Sequence, residues 1–268
     1  MITYRKARVI MRILFLGDIV GSPGRGIIKN RIADLKKTKK IDCVIANGEN
    51  AAGGSGLTPK IAEELFASGI DVLTSGDHIW KKKEIFDVLR TTSRLLRPAN
   101  YPEGSPGSGS TVIETPSSGK VGVINLIGRV FMEAVECPFR TAEKEIAKIK
   151  DKTSVIIVDM HAEATSEKVA LGWYLDGKVS AVLGTHTHIQ TADEKILDNG
   201  TAYITDCGMT GPYDSVIGRK KENVIERFIT QMPARFEVAE GKVEMHGVLL
   251  DVDEKTGKAR SVERVQER

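Results

Sequence analysis

The chain has 268 residues, 41% hydrophobic and 28% charged, with 26 Gly and 9 Pro; this globular composition excludes a disordered or fibrous protein. Its 39 basic and 36 acidic side chains leave a formal charge of +3, which argues against an extended nucleic-acid surface and leaves room for a small, locally bound nucleotide. Cys43, Cys137 and Cys207 are odd in number and lack CxxC spacing, so neither a disulfide framework nor a zinc ribbon is expected, and a cytoplasmic location fits.

Arg5, Lys6, Arg8 and Arg12 precede a short apolar run at 13–16 that Asp18 closes. The run is too short for a secretory signal, and nowhere is there a stretch of about 20 apolar residues, so no membrane segment is expected. Residues 1–10 read as a flexible extension or an upstream start, because Met11 opens the first strand-like segment. The remainder, 11–268, shows no dividing linker and reads as a single domain.

Strands are expected at 12–17, 42–46, 71–75, 110–114, 121–126, 154–159, 180–184 and 201–205. Helical spacing runs through 25–37, 59–68, 80–89, 141–150, 166–174 and 221–231, with Thr58 as N-cap and Pro59 at the first position of the second helix. Alternating short strands and amphipathic helices predict a layered α/β domain. The Pro-, Gly- and Ser-rich stretch 90–120 reads largely as a long loop, and the alternating tail from about 235 as antiparallel strands, beginning with Arg235-Phe-Glu-Val.

The chemistry-bearing side chains fall at the carboxyl ends of the expected strands, where layered α/β sheets bind ligands. Asp18 follows the first strand, Glu49 and Asn50 the second, Asp77 and His78 the third, His161 the strand at 154–159, and His186 and His188 the strand at 180–184. Any one alone is more often a turn, cap or structural residue. Five such placements in order are not. Asp, Glu, Asn and His without thiolate suit a pair of metal ions that share an anionic bridge. In an extended segment His186 and His188 would point to the same face. Gly17, Gly48, Gly76 and Gly184 mark turns where backbone passes close to a bound group.

These residues resemble the calcineurin-like metallophosphoesterases, and within them the YmdB-like branch that acts on cyclic nucleotides. The resemblance rests on Gly17-Asp-Ile-Val-Gly-Ser-Pro-Gly-Arg25, Asn47-Gly-Glu-Asn-Ala-Ala-Gly-Gly54, Gly76-Asp-His78, Gly184-Thr-His-Thr-His188 and the run from Thr205 to Gly218. It covers nearly the whole chain and implies a layered metallophosphoesterase fold, mixed β-sheets sandwiched by helices. It also implies that Glu49 bridges two divalent or mixed-valence ions, Fe or Mn before Zn. Asp18, Asn50 and His188 would complete one site, and Asp77, His161 and His186 the other, with His78 catalytic and outside the ligand set. Val20 stands where most of the superfamily has His, and Asp77 where this branch usually has Asn. Three carboxylates against two divalent ions leave one net positive charge, so Asp77 should either tighten metal binding and weaken the pull on bound water or favour a more oxidised iron pair.

The expected reaction is attack of a metal-bridging hydroxide on phosphorus with His78 protonating the leaving oxygen, opening a cyclic nucleotide, 2′,3′-cyclic before others, to a monoester. A phosphomonoesterase of the same fold is the main alternative, and a metal-stabilised regulatory module without turnover a second. The motif Gly21-Ser-Pro-Gly-Arg-Gly26 lacks the Lys-Ser/Thr of a P-loop. In the loop 205–220, Tyr213 and Arg219 could face a base or phosphate, or pack. Trp80 and Cys207 are expected to pack. Self-association into a homo-oligomer is expected from the resemblance.

Overall fold

The computed structural model describes residues 10–116 and 119–268. Of the extension at 1–10, only Ile10 falls within them, and it opens the first strand; the rest lies outside the described residues.

In chain order the elements are β1 (Ile10–Leu16), β2 (Asp18–Ile19), α1 (Gly21–Thr38), β3 (Cys43–Asn47), α2 (Pro59–Ala67) and β4 (Val72–Thr74). A 3₁₀ turn (Asp77–Lys81) and α3 (Ile85–Thr91) follow, then β5 (Ser110–Glu114), β6 (Lys120–Ile127), α4 (Pro138–Ile149), β7 (Ile156–His161), α5 (Thr165–Tyr174) and β8 (Ala181–Thr185). The chain continues through β9 (Lys195–Ile196), β10 (Ala202–Ile204), β11 (Met209–Pro212), α6 (Lys221–Thr230), β12 (Val243–Asp253) and β13 (Ala259–Glu267).

Among the described residues these strands form two mixed sheets. The first runs β2-β11-β12-β1-β3-β4, with β13 also paired to β12; β1, β3 and β4 are parallel, whereas β12 is antiparallel to β1 in the register Leu14↔Leu249. The second runs β5-β6-β7-β8-β10-β9, parallel through β6, β7, β8 and β10. Strand alternation splits the side chains between layers. Ile13 and Phe15 join Ile45, Val123, Ile157, Leu183 and Leu250 in the core between the sheets. Leu14 and Leu16 face α1 and α2 through Ile28, Ile32 and Leu65, and Ile124, Leu126 and Val158 face α4 and α5 through Ala142 and Leu171. The result is four layers, helices outside and two mixed sheets inside, as expected. No described helix is long and apolar enough to cross a membrane.

The expected N-cap holds: the Thr58 hydroxyl accepts from the backbone N–H of Ile61 at 3.3 Å, with Pro59 opening α2. The expected helix 80–89 is instead broken at Lys82, which is extended. The reason is upstream, where the 3₁₀ turn carries the His78 N–H onto Glu49 Oε2 at 3.0 Å, a geometry that an α-helix starting at 80 does not need. Arg235-Phe-Glu-Val forms no strand; Val238 makes only an isolated bridge to Arg219, and the antiparallel tail begins at β12. Strand β11 was not expected inside the loop 205–220; it wedges between β2 and β12, and the Gly208 carbonyl accepts from Asp18 N at 3.1 Å.

Gly184 is a close approach rather than a turn, since a Cβ there would lie 1.7 Å from the carbonyl oxygen of Thr205. Backbone cannot yield as a flexible side chain can. Gly184→Ala should therefore destabilise the fold by about 1–3 kcal/mol, toward the upper end, read as a lower urea midpoint; an unchanged midpoint would show that these segments are not held this close.

Candidate metal centre

The parallel strands of both sheets deliver their carboxyl ends to one edge, and every residue expected in the site arrives there. Beneath it lies a buried polar floor. Asp159 on β7 accepts from the Thr74 hydroxyl at the end of β4, from Asn47 Nδ2 at the end of β3 (3.2 Å), and from the Thr185 hydroxyl at the end of β8 (2.7 Å). All four side chains are fully buried. Burial pushes the Asp159 carboxyl up to about 6, even with the Thr74 and Thr185 donors and the nearby His161 pulling the other way.

That floor aims the first imidazole. Thr185 spends its single proton on Asp159, so its oxygen accepts from His161 Nδ1–H at 2.9 Å. His161 Nε2 is thereby turned to Glu49 Oε1 at 3.2 Å and Asp77 Oδ1 at 3.5 Å. Gly76 makes room, because a Cβ there would sit 2.1 Å from the His161 ring.

His186 and His188 do not lie in an extended strand, contrary to expectation. Both follow β8 in a bend, with φ of 100° and 66°, a left-handed region that costs non-glycine residues about 1–3 kcal/mol each. Asp206 over-determines this bend. It accepts from the Thr187 N–H at 3.0 Å, the Thr187 hydroxyl at 2.7 Å, the Gly208 N–H at 2.8 Å and the buried Lys168 ammonium at 2.9 Å. Asp18 Oδ2 adds a bond from His186 N at 3.0 Å. The two rings then diverge. His186 Nδ1 faces His161 Nε2 at 3.0 Å and Asp77 Oδ1 at 3.9 Å, while its Nε2 contacts Glu163 Oε2 at 3.2 Å. His188 donates Nδ1–H to the Ile217 carbonyl at 3.0 Å and turns Nε2 to Asp18 Oδ1 at 3.6 Å.

One ligand atom each from Glu49, Asp77, His161 and His186 lies within 4.8 Å of the others. Asp77 Oδ1 in this group is buried without a hydrogen-bond partner among the described residues, which is costly unless a cation sits beside it. The donor chemistry therefore fits a metal ion. Asn50 completes the neighbouring group, its amide nitrogen 3.4 Å from Asp18 Oδ1, 3.3 Å from Glu49 Oε1 and 3.3 Å from His188 Nε2. An ion there requires the amide turned by 180°, so that oxygen faces the cluster and nitrogen donates to His78. His78 stands at the rim, 29% exposed, with Nδ1 2.7 Å from Asn50 Oδ1 and Nε2 3.7 Å from Asp77 Oδ2.

Of the loop residues, Tyr213 packs: its hydroxyl donates to the Met209 carbonyl, and its ring lies 4.2 Å from His246. Arg219 is a strap, bonded to the carbonyls of Gly53, Gly54 and Phe236. Trp80 packs edge-on against Phe86 and Tyr101, and Cys207 is buried between the sheets. Gly21-Ser-Pro-Gly-Arg-Gly26 is the first turns of α1. Sequence reading missed Glu163, Asp206 and Lys168. The available signal was a lone carboxylate inside an apolar run at Asp159, and the acidic Asp206 in the expected turn after 201–205.

A family model described as YmdB-like protein matches residues 14–265. The chain is 54% identical over 256 residues to the 2′,3′-cyclic-nucleotide 2′-phosphodiesterase of Bacillus subtilis (strain 168), covering 95% of this chain and 96% of that protein. Its fold superposes on the crystal structure of a novel phosphatase from Mycoplasma pneumoniae with a TM-score of 0.89 at 38% identity, covering 96% of this chain and 93% of that one. A hypothetical protein from Thermus thermophilus gives the same TM-score at 39% identity, covering 96% and 100% of the two chains. The four layers are thus the metallophosphoesterase arrangement.

Burial opposes a proton on His161 and His188, but Glu49, Asp77 and Asp18 outweigh it at His161, and Asp18 with the Ile217 carbonyl outweighs it at His188, so both imidazoles are raised, His161 well above the usual range. Burial and the charge of His161 lower His186. A protonated nitrogen cannot bind metal. Because the controlling imidazoles are raised, metal affinity should climb as pH rises through and beyond about 6.5, with protons released on binding. Metal titrations across pH by calorimetry would read this; an affinity independent of pH would contradict it.

Proposed function

The chain belongs to the YmdB-like family, and from that premise we propose that it is a metal-dependent phosphodiesterase that opens 2′,3′-cyclic nucleotides to monoesters. The observation that carries the reading is the convergence of Glu49, Asp77, His161 and His186 on one point at the floor of an open cleft. A second ion would be held by Asp18, Asn50 and His188, with Glu49, which contacts both this group and Asn50, shared between the two. When bound, two divalent or mixed-valence ions, Fe or Mn before Zn on the family resemblance, would supply neutralisation of phosphate oxygens and an activated water.

The chain's own residues do the rest. Thr185, the Ile217 carbonyl and Glu163 each occupy the outward nitrogen of one imidazole and keep the inward nitrogen on the cluster. His78 faces the cleft with Nδ1 engaged by Asn50, which leaves Nε2 to carry a proton toward a leaving oxygen. The name of the Bacillus subtilis relative supports a five-membered cyclic diester as substrate.

The reading is tested by comparing kcat/KM for uridine 2′,3′-cyclic phosphate with that for p-nitrophenyl phosphate on one metal-loaded preparation. The cyclic diester should win; a monoester ahead by tenfold, about 1.4 kcal/mol in barrier, makes the protein a phosphomonoesterase. His78→Ala should lower kcat by about 10²- to 10⁴-fold while metal content stays at the wild-type level. Parallel loss of metal and activity would instead place His78 among the ligands.

A further inference from the structure

The cleft above the metal-binding residues has a mixed lining. It measures about 660 Å³ and is lined both by Glu49, His78, His186 and His188 and by the apolar side chains of Ile217, Val224, Phe228 and Phe236. We propose that this apolar part of the wall is the nucleobase subsite and that Phe228 is its stacking face. The proposal deepens the phosphodiesterase reading above and rests on it for the anchoring of the phosphate.

Phe228 is 74% exposed, and no described aromatic ring packs on it. An aromatic side chain left open to water at the edge of a concave site can receive an apolar ligand face. Val224, one helical turn earlier on the same face of α6, is buried and lines the same cleft.

The wall is also fixed relative to the phosphate end. Ile217, a β-branched residue, sits at φ 46°, a conformation such residues avoid. That backbone sends its carbonyl to His188 Nδ1 while its side chain, 46% exposed, borders the cleft. One strained residue thus couples a metal-facing imidazole to the apolar wall. Arg219 ties the Phe236 carbonyl to those of Gly53 and Gly54, a few residues beyond Asn50. Arg227 also lines the cleft and has no carboxylate partner among the described residues, so the wall presents apolar surface and positive charge to an anionic ligand.

A planar, apolar group joined by a sugar to a phosphate fits this division, and the volume accommodates a mononucleotide. Because every base has a π-face, stacking on Phe228 predicts little discrimination between bases.

The test uses the metal-loaded protein with two five-membered cyclic diesters, adenosine 2′,3′-cyclic phosphate and glycerol 1,2-cyclic phosphate, which lacks a base. Phe228→Ala, at an exposed position, should lower kcat/KM for the nucleotide by about tenfold, mainly through KM, within the range of base–aromatic stacking. The glycerol ester should be unaffected, and Phe228→Tyr should restore the nucleotide rate. Equal effects on both esters, or none on either, overturn the subsite. If the wild type hydrolyses neither ester, the proposed reaction fails, and calorimetry decides the subsite separately. Adenosine 3′-monophosphate binding tighter than inorganic phosphate, with the difference abolished by Phe228→Ala, upholds it; a difference that is absent or survives the substitution overturns it.

Discussion

The site hangs on one buried carboxylate. Asp159 receives donors from β3, β4 and β8, so a single side chain on the second sheet is bonded to the strand ends of the first and to its own neighbour. Buried polar groups are costly when unpaired and rigidifying when fully paired. With Thr74, Thr185 and Asn47 all paired to it, Asp159 fixes how the two sheets meet at their carboxyl edge. Everything above inherits that registry. His161 is oriented through Thr185, and the strand ends of β3 and β4 lead directly into Glu49, Asn50, Asp77 and His78.

A second buried contact does for the histidine bend what Asp159 does for the floor. Left-handed backbone at His186 and His188 is unfavourable by itself and persists only where the surroundings leave no alternative. Asp206, paired with Lys168 from α5, supplies that constraint through Thr187 and Gly208. The strain has a purpose: in an extended strand the two rings would share one direction, whereas the bend sends His186 to Asp77 and His188 to Asp18. The bend therefore separates two groups of donors that Glu49 and Asn50 join.

Two kinds of side chain line the one cleft: carboxylates and imidazoles that could neutralise charge, and the apolar side chains of α6 and its neighbouring turns. In the proposed reading a phosphoester bound at the charged residues would turn its non-reacting portion to the apolar wall. Asp77 adds a further local feature, since its Oδ1 is buried without a hydrogen-bond partner among the described residues, and in the proposed metal site a carboxylate would hold a cation more strongly than an amide at the same position.

The sequence by itself determined most of the element order and the layered class, and it singled out the residues that the fold gathers at one sheet edge. Period-two and helical spacing record which face of each element is buried, and Asp18, Glu49, Asn50, Asp77, His78, His161, His186 and His188 are legible because polar groups placed just after apolar strands are anomalous in a core. Local pattern carries no information about partners distant in the chain. Thus the helix expected at 80–89 is interrupted because His78 must reach Glu49, 29 residues away. The bend at His186 and His188 is held by Asp206 and Lys168, and Glu163 is linked to the cluster only through the outward nitrogen of His186. Tyr213 and Phe228 look equally available in sequence, yet Tyr213 is packed on His246 while Phe228 stands open in the cleft. Only tertiary structure decided these, because orientation and exposure arise where β11 pairs with β12 and where Val224 of α6 is buried beside the cleft, and a side chain's neighbours there are not its neighbours along the chain.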